Sequence, residues 1–212
     1  SCAGGANAYS TMPVRRERQE LQLVEVTVNG LASGHSGVEI HKGRANANVL
    51  MGRLLGVLSD KLPFVLVTLE GGSRETAIAA SASAVIGVAG DDVDAAVQTV
   101  SDYGGVLAKE YATAEPSLKV SAKAMGPDTA DALTAESTAQ VTRLLLSLPD
   151  GVQAMSVDMP GLVQTSLNFG ILQLRDTELY CANTVRSSMT SQKQWILDKV
   201  SAVVALAGGV TE

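Results

Sequence analysis

The sequence predicts an α/β protein of the α+β kind: an antiparallel sheet with helices on one face. Two observations carry this. Stretches with apolar residues at period two, or short continuous apolar runs, alternate with longer stretches of helical period, and Gly or Pro stands at several of the boundaries. Aromatic residues make up only 3% of the 212, so Val, Leu, Ile and Ala must fill the interior, which is long enough for one sizeable core or two small ones sharing an interface.

Each element follows in order. Val24, Val26 and Val28 alternate with polar residues and run into Asn29-Gly30, which reads as a half-buried strand. Beyond a Gly-rich loop, Leu50, Leu54, Val57 and Leu58 recur at helical spacing and predict a helix over about residues 44–62, stopped by Pro63. Phe64 to Leu69 suits a buried strand, and Gly71-Gly72 turns the chain into a second extended segment over about residues 76–88. Asp91, Asp92 and Asp94 crowd the first turn of a helix, where carboxylates meet the positive end of the dipole; its inner stripe is Val93, Ala96, Val97 and Val100. Leu118, Val120, Ala122 and Ala124 alternate with Ser or Lys and close the set as a strand with one wet face.

This βαββαβ order is the ferredoxin-like arrangement and is predicted for residues 21–125. A similar order restarts over residues 126–212. Val141, Leu144, Leu145 and Leu148 mark a helix ended by Pro149, Val152 to Asp158 and Thr165 to Leu174 are extended, and Leu179 to Arg186 returns across Asp176-Thr177. Ser191 and Gln194 fit a capping box before a helix with the stripe Ile196, Val200, Val203 and Val204. The second unit has no evident closing strand, and its opening strand is expected to be shared with Leu118 to Ala124, so the repeat is read as incomplete.

Composition excludes several function classes. A net charge of −6 and a pI near 5.0 leave no basic excess, which argues against nucleic acid or an anionic membrane as partner. Apolar runs such as Val200 to Gly209 are too short for a bilayer, and no basic segment with an apolar core opens the chain. Cys2 and Cys181 form no CxxC pair, so a reduced cytoplasmic protein is the expectation, with a single disulfide left open at this point. The first residues, Ser1-Cys2-Ala3-Gly4-Gly5, and the last, Gly208-Gly209-Val210-Thr211-Glu212, read as cuts within a longer protein.

The two histidines, His35 and His41, share the segment Gly34-His35-Ser36-Gly37-Val38-Glu39-Ile40-His41. Imidazole is the usual neutral-pH acid, base or metal ligand, and Gly allows close approach. The spacing does not supply the zincin His-Glu-x-x-His, nor Gly-x-Ser-x-Gly, and the chain has no Gly-x-x-x-x-Gly-Lys-Ser/Thr. Two histidines with scattered carboxylates do not make an independent metal site, so no metal ligand is assigned. On residues alone, His35 merely caps a loop and His41 is solvated.

The run Gly30-Leu31-Ala32-Ser33-Gly34-His35-Ser36-Gly37-Val38-Glu39-Ile40-His41-Lys42-Gly43-Arg44-Ala45-Asn46-Ala47-Asn48 resembles the lid-domain signature of aminoacylhistidine dipeptidases, carnosinase-like members of the dinuclear zinc peptidases. Cys2-Ala3-Gly4-Gly5, Met159 to Asn168 and Val185-Arg186-Ser187-Ser188 resemble further family segments in the right order. The resemblance implies that residues 1–20 are the junction from a catalytic domain outside this chain, that this domain binds two zinc ions, and that this piece closes over a dipeptide but is inactive alone and needs no cofactor itself. It implies oxyanion stabilisation by His35 and a grip on the substrate's terminal carboxylate by Arg186. Thr76 stands where the family has a substrate-contacting Asn, which puts specificity in question. His41, Gly71-Gly72 and Cys181 are assigned to loop order, a turn and a buried thiol. Family lids also carry dimer contacts, so a homodimer is an expected partner. The alternative is a non-catalytic ferredoxin-like module that dimerises or binds a small molecule.

Overall fold

A computed structural model describes residues 4–212. Nine strands form one antiparallel sheet with four α-helices among these residues. The strands are β1 (Gly4–Pro13), β2 (Arg16–Asn29), β3 (Val65–Gly71), β4 (Ala82–Val88), β5 (Lys119–Leu133), β6 (Gly151–Met155), β7 (Val163–Leu174), β8 (Glu178–Ser187) and β9 (Val210–Thr211). The helices are α1 (Ala47–Ser59), α2 (Val93–Glu110), α3 (Ala135–Ser147) and α4 (Thr190–Leu206). None of the helices is long and apolar enough to cross a membrane.

The spatial order is β5-β2-β4-β3-β7-β8-β1-β9, with β6 beside β7. Two pairs alone, Glu70 with Gln173 and Gly71 with Leu172, join β3 to β7 and so join the two halves. The helices lie side by side, with α1 between α2 and α3, and α3 against α4. Their apolar stripes and the inward residues of the strands make a continuous core in which Val24, Val26, Leu50, Leu54, Leu58, Ile86 and Val185 are fully enclosed. Two helix-interior glycines set the α1–α3 spacing: a Cβ at Gly52 would lie 2.9 Å from Leu145 Cβ, and one at Gly56 3.0 Å from Leu146 Cδ1. The other side of the sheet is polar; there the Thr27 and Ser121 hydroxyls hydrogen-bond at 2.7 Å.

The structure differs from the sequence reading at defined places. Gly4–Pro13, assigned only to a junction, is a full strand paired with β8 from Gly4–Ser187 to Pro13–Glu178. The second half does not share β5, which pairs with β2 alone; β1 takes that place beside β8, and the short β9 pairs with β1 at its edge. The extended segment over residues 76–88 is a strand only from Ala82, because side chains of β7 and β8 take up carbonyls of Glu75 and Ala77. The capping box at α4 does not form: the N-cap is Met189, without a side-chain cap, and the Gln194 amide donates to Asp198 instead. Cys181 is a buried free thiol whose pKa burial pushes up to about 12, while Cys2 lies outside the described residues, as does Ala3 of the Cys2-Ala3-Gly4-Gly5 segment.

Candidate functional site

The loop between β2 and α1 turns on two unusual residues, Ser33 at φ 57° and Gly34 at φ 142°. The first lies in the left-handed region that most side chains avoid, and local bonds hold it there. Ser33 Oγ donates to the Ile78 carbonyl at 2.5 Å, Ile78 N–H donates to Gly34 at 2.9 Å, and the Arg44 guanidinium donates to the Ser33 carbonyl. Inside the loop, the Glu39 carboxylate accepts the His35 N–H at 3.0 Å and pairs with Lys42 at 2.8 Å and Arg44 at 3.2 Å. Its pKa is lowered to about 2, first by the Lys42 hydrogen bond and then by the His35 amide.

His35 is exposed, and its ring orientation is fixed. Gly37 N–H donates to Nδ1 at 3.1 Å, which places the proton of the neutral imidazole on Nε2 and leaves Nε2–H as a free donor. Arg186 comes from the other half of the sheet. Alternation along β8 buries Leu179, Cys181 and Val185 toward the helices and turns Arg186 to the opposite face with Thr184. Its guanidinium reaches the Gly37 backbone: a Cβ on Gly37 would meet Arg186 Nε at 2.9 Å, Arg186 Cζ at 3.0 Å and His35 Cε1 at 3.0 Å. Arg186 Nε is buried without a hydrogen-bond partner among the described residues. His35 and Arg186 therefore converge on one point from separate halves.

Thr76 joins through its backbone. Its carbonyl accepts the Ser36 N–H at 2.9 Å, and neighbouring Ala77 bridges to His35. Side chains that sequence reasoning did not single out clamp this segment. Asn168 Nδ2 donates to the carbonyls of Glu75 (2.8 Å) and Ala77 (3.0 Å), on either side of Thr76, and Thr184 Oγ1 donates to Glu75 (3.1 Å). The Glu75 carboxylate accepts from the Tyr9 hydroxyl at 3.0 Å and Asn7 at 3.2 Å. Gly170, where the β7–β8 register slips, leaves the space: a Cβ there would lie 2.5 Å from the Glu75 carbonyl oxygen. The visible signal was Asn168 and Gly170 on one apolar strand, which reads as a bulge with a polar purpose.

A second seam lies under the loop. Asp150 accepts Phe169 N–H at 2.7 Å and Asn46 Nδ2 at 3.2 Å, while Asn46 and Asn48 both donate to the Phe169 carbonyl at 3.0 Å. This fixes the start of α1, capped by Asn46, against β7. Burial pushes the Asp150 pKa up to about 6, against the opposing pull of its donors. His41 is exposed at the end of the loop and makes none of these contacts. Among the described residues no three His, Cys, Asp or Glu side chains are grouped to hold a metal ion.

What the arrangement offers is a pair of N–H donors, one on an imidazole and one on a guanidinium, brought to the same point. Over residues 26–114 the chain matches the M20 peptidase dimerisation domain. It is 35% identical, over its whole length, to the cytosol non-specific dipeptidase of Escherichia coli, of which it spans 44%. The solved aminoacylhistidine dipeptidase of Vibrio alginolyticus superposes on all of it with a TM-score of 0.95 at 29% identity, over 43% of that protein. Residues 26–114 thus carry the pattern of the M20 peptidase dimerisation domain, and the likeness to these two dipeptidases runs through the whole chain. The chain spans less than half the length of each of these relatives, and its match to both extends beyond residues 26–114 through β1, β7 and β8.

Proposed function

We propose that this domain is the substrate-covering lid of a dipeptidase, and that His35 and Arg186 are its substrate-facing donors. The convergence of both on Gly37 supports the reading best, since each comes from a different half of the sheet. His35 Nε2–H donates to the carbonyl oxygen of the scissile peptide bond as negative charge develops there, a contribution on the order of 10²–10³ in kcat for a single positioned donor. Arg186, with Nε unpartnered among the described residues, binds the terminal carboxylate through its planar fork. Thr76, exposed and held by its backbone beside Ser36, tunes specificity toward Xaa-His or related dipeptides.

The described residues do not fit the two zinc ions that the family resemblance implies, so no step of this role passes through a metal held by this chain. In this reading the ions, and the cytoplasmic dipeptide chemistry with them, belong to the complete enzyme, and the isolated lid is inactive. The order β5-β2-β4-β3, with α1 and α2 as its crossovers, supports a ferredoxin-like first unit, and β7-β8-β1-β9 supports a second unit of similar plan. The dimerisation-domain match favours a homodimer of the complete protein.

The test is hydrolysis of a free dipeptide and of the same dipeptide amidated at its C-terminus. In the complete enzyme Arg186→Ala is expected to raise KM for the free dipeptide by about tenfold or more and to leave the amide nearly unchanged, as befits loss of a charge-assisted pair. Equal losses on both substrates would refute the carboxylate role.

A further inference from the structure

Glu115 sits in the turn after α2, only 2% exposed, and takes part in none of the ion pairs among the described residues. A buried carboxylate without a cation requires compensation from hydrogen-bond donors. It has two, and their positions are informative. Oε2 accepts Ala32 N–H at 2.7 Å, and Oε1 accepts Ala45 N–H at 3.0 Å. Ala32 and Ala45 are the two ends of the loop that carries His35. One carboxylate therefore closes the neck of that loop, each oxygen on one strand of it.

The closing group is itself held. Glu115 N–H donates to the Tyr111 carbonyl at 2.8 Å, and Leu118 N–H donates to the Glu115 carbonyl at 3.0 Å, so the turn is locked to the end of α2. The chain entering the loop is pressed against the same turn, since a Cβ at Gly30 would lie 2.0 Å from the Ser117 carbonyl oxygen. Within the neck, the Glu39 carboxylate ties the His35 amide to Lys42 and Arg44.

We propose that Glu115 at the neck and Glu39 within the loop are positioning residues that set where the His35 imidazole stands relative to Arg186. This rests on the reading of His35 and Arg186 given above. Neither carboxylate touches substrate; each acts through the loop backbone. The neck requires an acceptor at both ends: glutamine would keep one carbonyl oxygen and turn an NH₂ donor against the other amide N–H. That end of the loop would separate, and the displacement would be carried to His35.

In the complete enzyme, Glu115→Gln is expected to lower kcat by about 10- to 100-fold with KM altered less than about threefold, because a misplaced transition-state donor costs rate rather than ground-state binding. In a His35→Ala background the same change is expected to alter kcat less than about twofold, since nothing remains to be positioned. Independent, additive losses overturn the proposal, as does unchanged kcat in a folded Glu115→Gln enzyme. If Glu115→Gln does not fold, Glu39→Gln, at a more exposed site, carries the test: a kcat loss of about tenfold that vanishes in the His35→Ala background supports the proposal, and unchanged kcat overturns it. Full activity of His35→Ala alone would instead overturn the reading of His35, and is distinguishable because it is measured before either glutamate is changed.

Discussion

Replacing Gly37 by alanine adds one methyl group where His35 and Arg186 meet. Gly37 has no positive φ, so the backbone accepts alanine without strain, and the effect lies in the contacts. The new Cβ would stand 2.9 Å from Arg186 Nε, 3.0 Å from Arg186 Cζ and 3.0 Å from His35 Cε1. Heavy atoms rest at about 3.5–4.0 Å, so the two side chains must retreat by roughly 0.5–1 Å. A displacement of about 1 Å at reacting groups costs up to about 10²-fold in rate, or about 2.7 kcal/mol. Stability should barely move, because alanine reduces the freedom of the unfolded chain by about 0.4–1 kcal/mol, which offsets the cost of shifting one exposed and one half-buried side chain. The assay is kcat/KM of the complete enzyme on a dipeptide, with the thermal midpoint measured in parallel. A fall of about 10- to 100-fold with the midpoint within about 3 °C is expected. Gly90→Ala, at a site with open space around its Cβ position, is the control and should leave both unchanged. Wild-type kcat/KM in Gly37→Ala would refute the idea that His35 and Arg186 work from one point.

Asp150 gives a pH signature. Its carboxyl is enclosed and its pKa lies at about 6 against an ordinary 3.8, so the folded state holds the proton more tightly than the unfolded chain does. The stabilisation from that proton is fully present below about pH 3.8 and is lost as pH rises through about 6, a change of roughly 2–3 kcal/mol. The difference in unfolding free energy between wild type and Asp150→Asn should therefore vary across that window, and a difference constant from pH 4 to 7 would contradict it. Gly105→Ala, on the exposed face of α2 with nothing near its Cβ position, should stabilise the protein by about 0.5–1 kcal/mol in chemical denaturation, and a loss of stability would show that α2 is packed there.

Much of the sheet and all four helices were legible because their side chains carry the period of the element that buries them. Val24, Val26 and Val28 announce β2, and Leu50, Leu54 and Leu58 announce α1. The strand β1 was not legible. Its inward residues are Ala8, Ser10 and Met12, too small and polar to stand out, and it is a strand because β8 offers it a ladder. The first half of β2, from Arg16 to Gln22, is charged and polar, and pairing with the edge strand β5 makes it extended. The segment after Gly72 failed in the opposite sense: Thr76 to Ala80 suits a strand, but Asn168 and Thr184 capture the carbonyls of Glu75 and Ala77 first. For the site, resemblance singled out His35, Arg186 and Thr76, whereas the meeting of the first two over Gly37 depends on contacts across about 150 residues, which no local pattern encodes.

The pairing of β1 with β8 has a consequence for how the chain acquires its fold. Ala8 faces Asn183, so β1 is synthesised some 175 residues before its ladder partner in β8. At about 5–20 residues per second, β1 waits roughly 10–35 s with both edges open, while β2 to β5 can already close on one another. Its composition suits that delay: apart from Tyr9, Gly4–Thr11 holds only Gly, Ala, Asn, Ser and Thr, which leave little for a stray edge to grasp. The modest hydrophobicity that hid β1 from the sequence reading is what keeps the nascent chain from pairing with the wrong strand before β8 arrives.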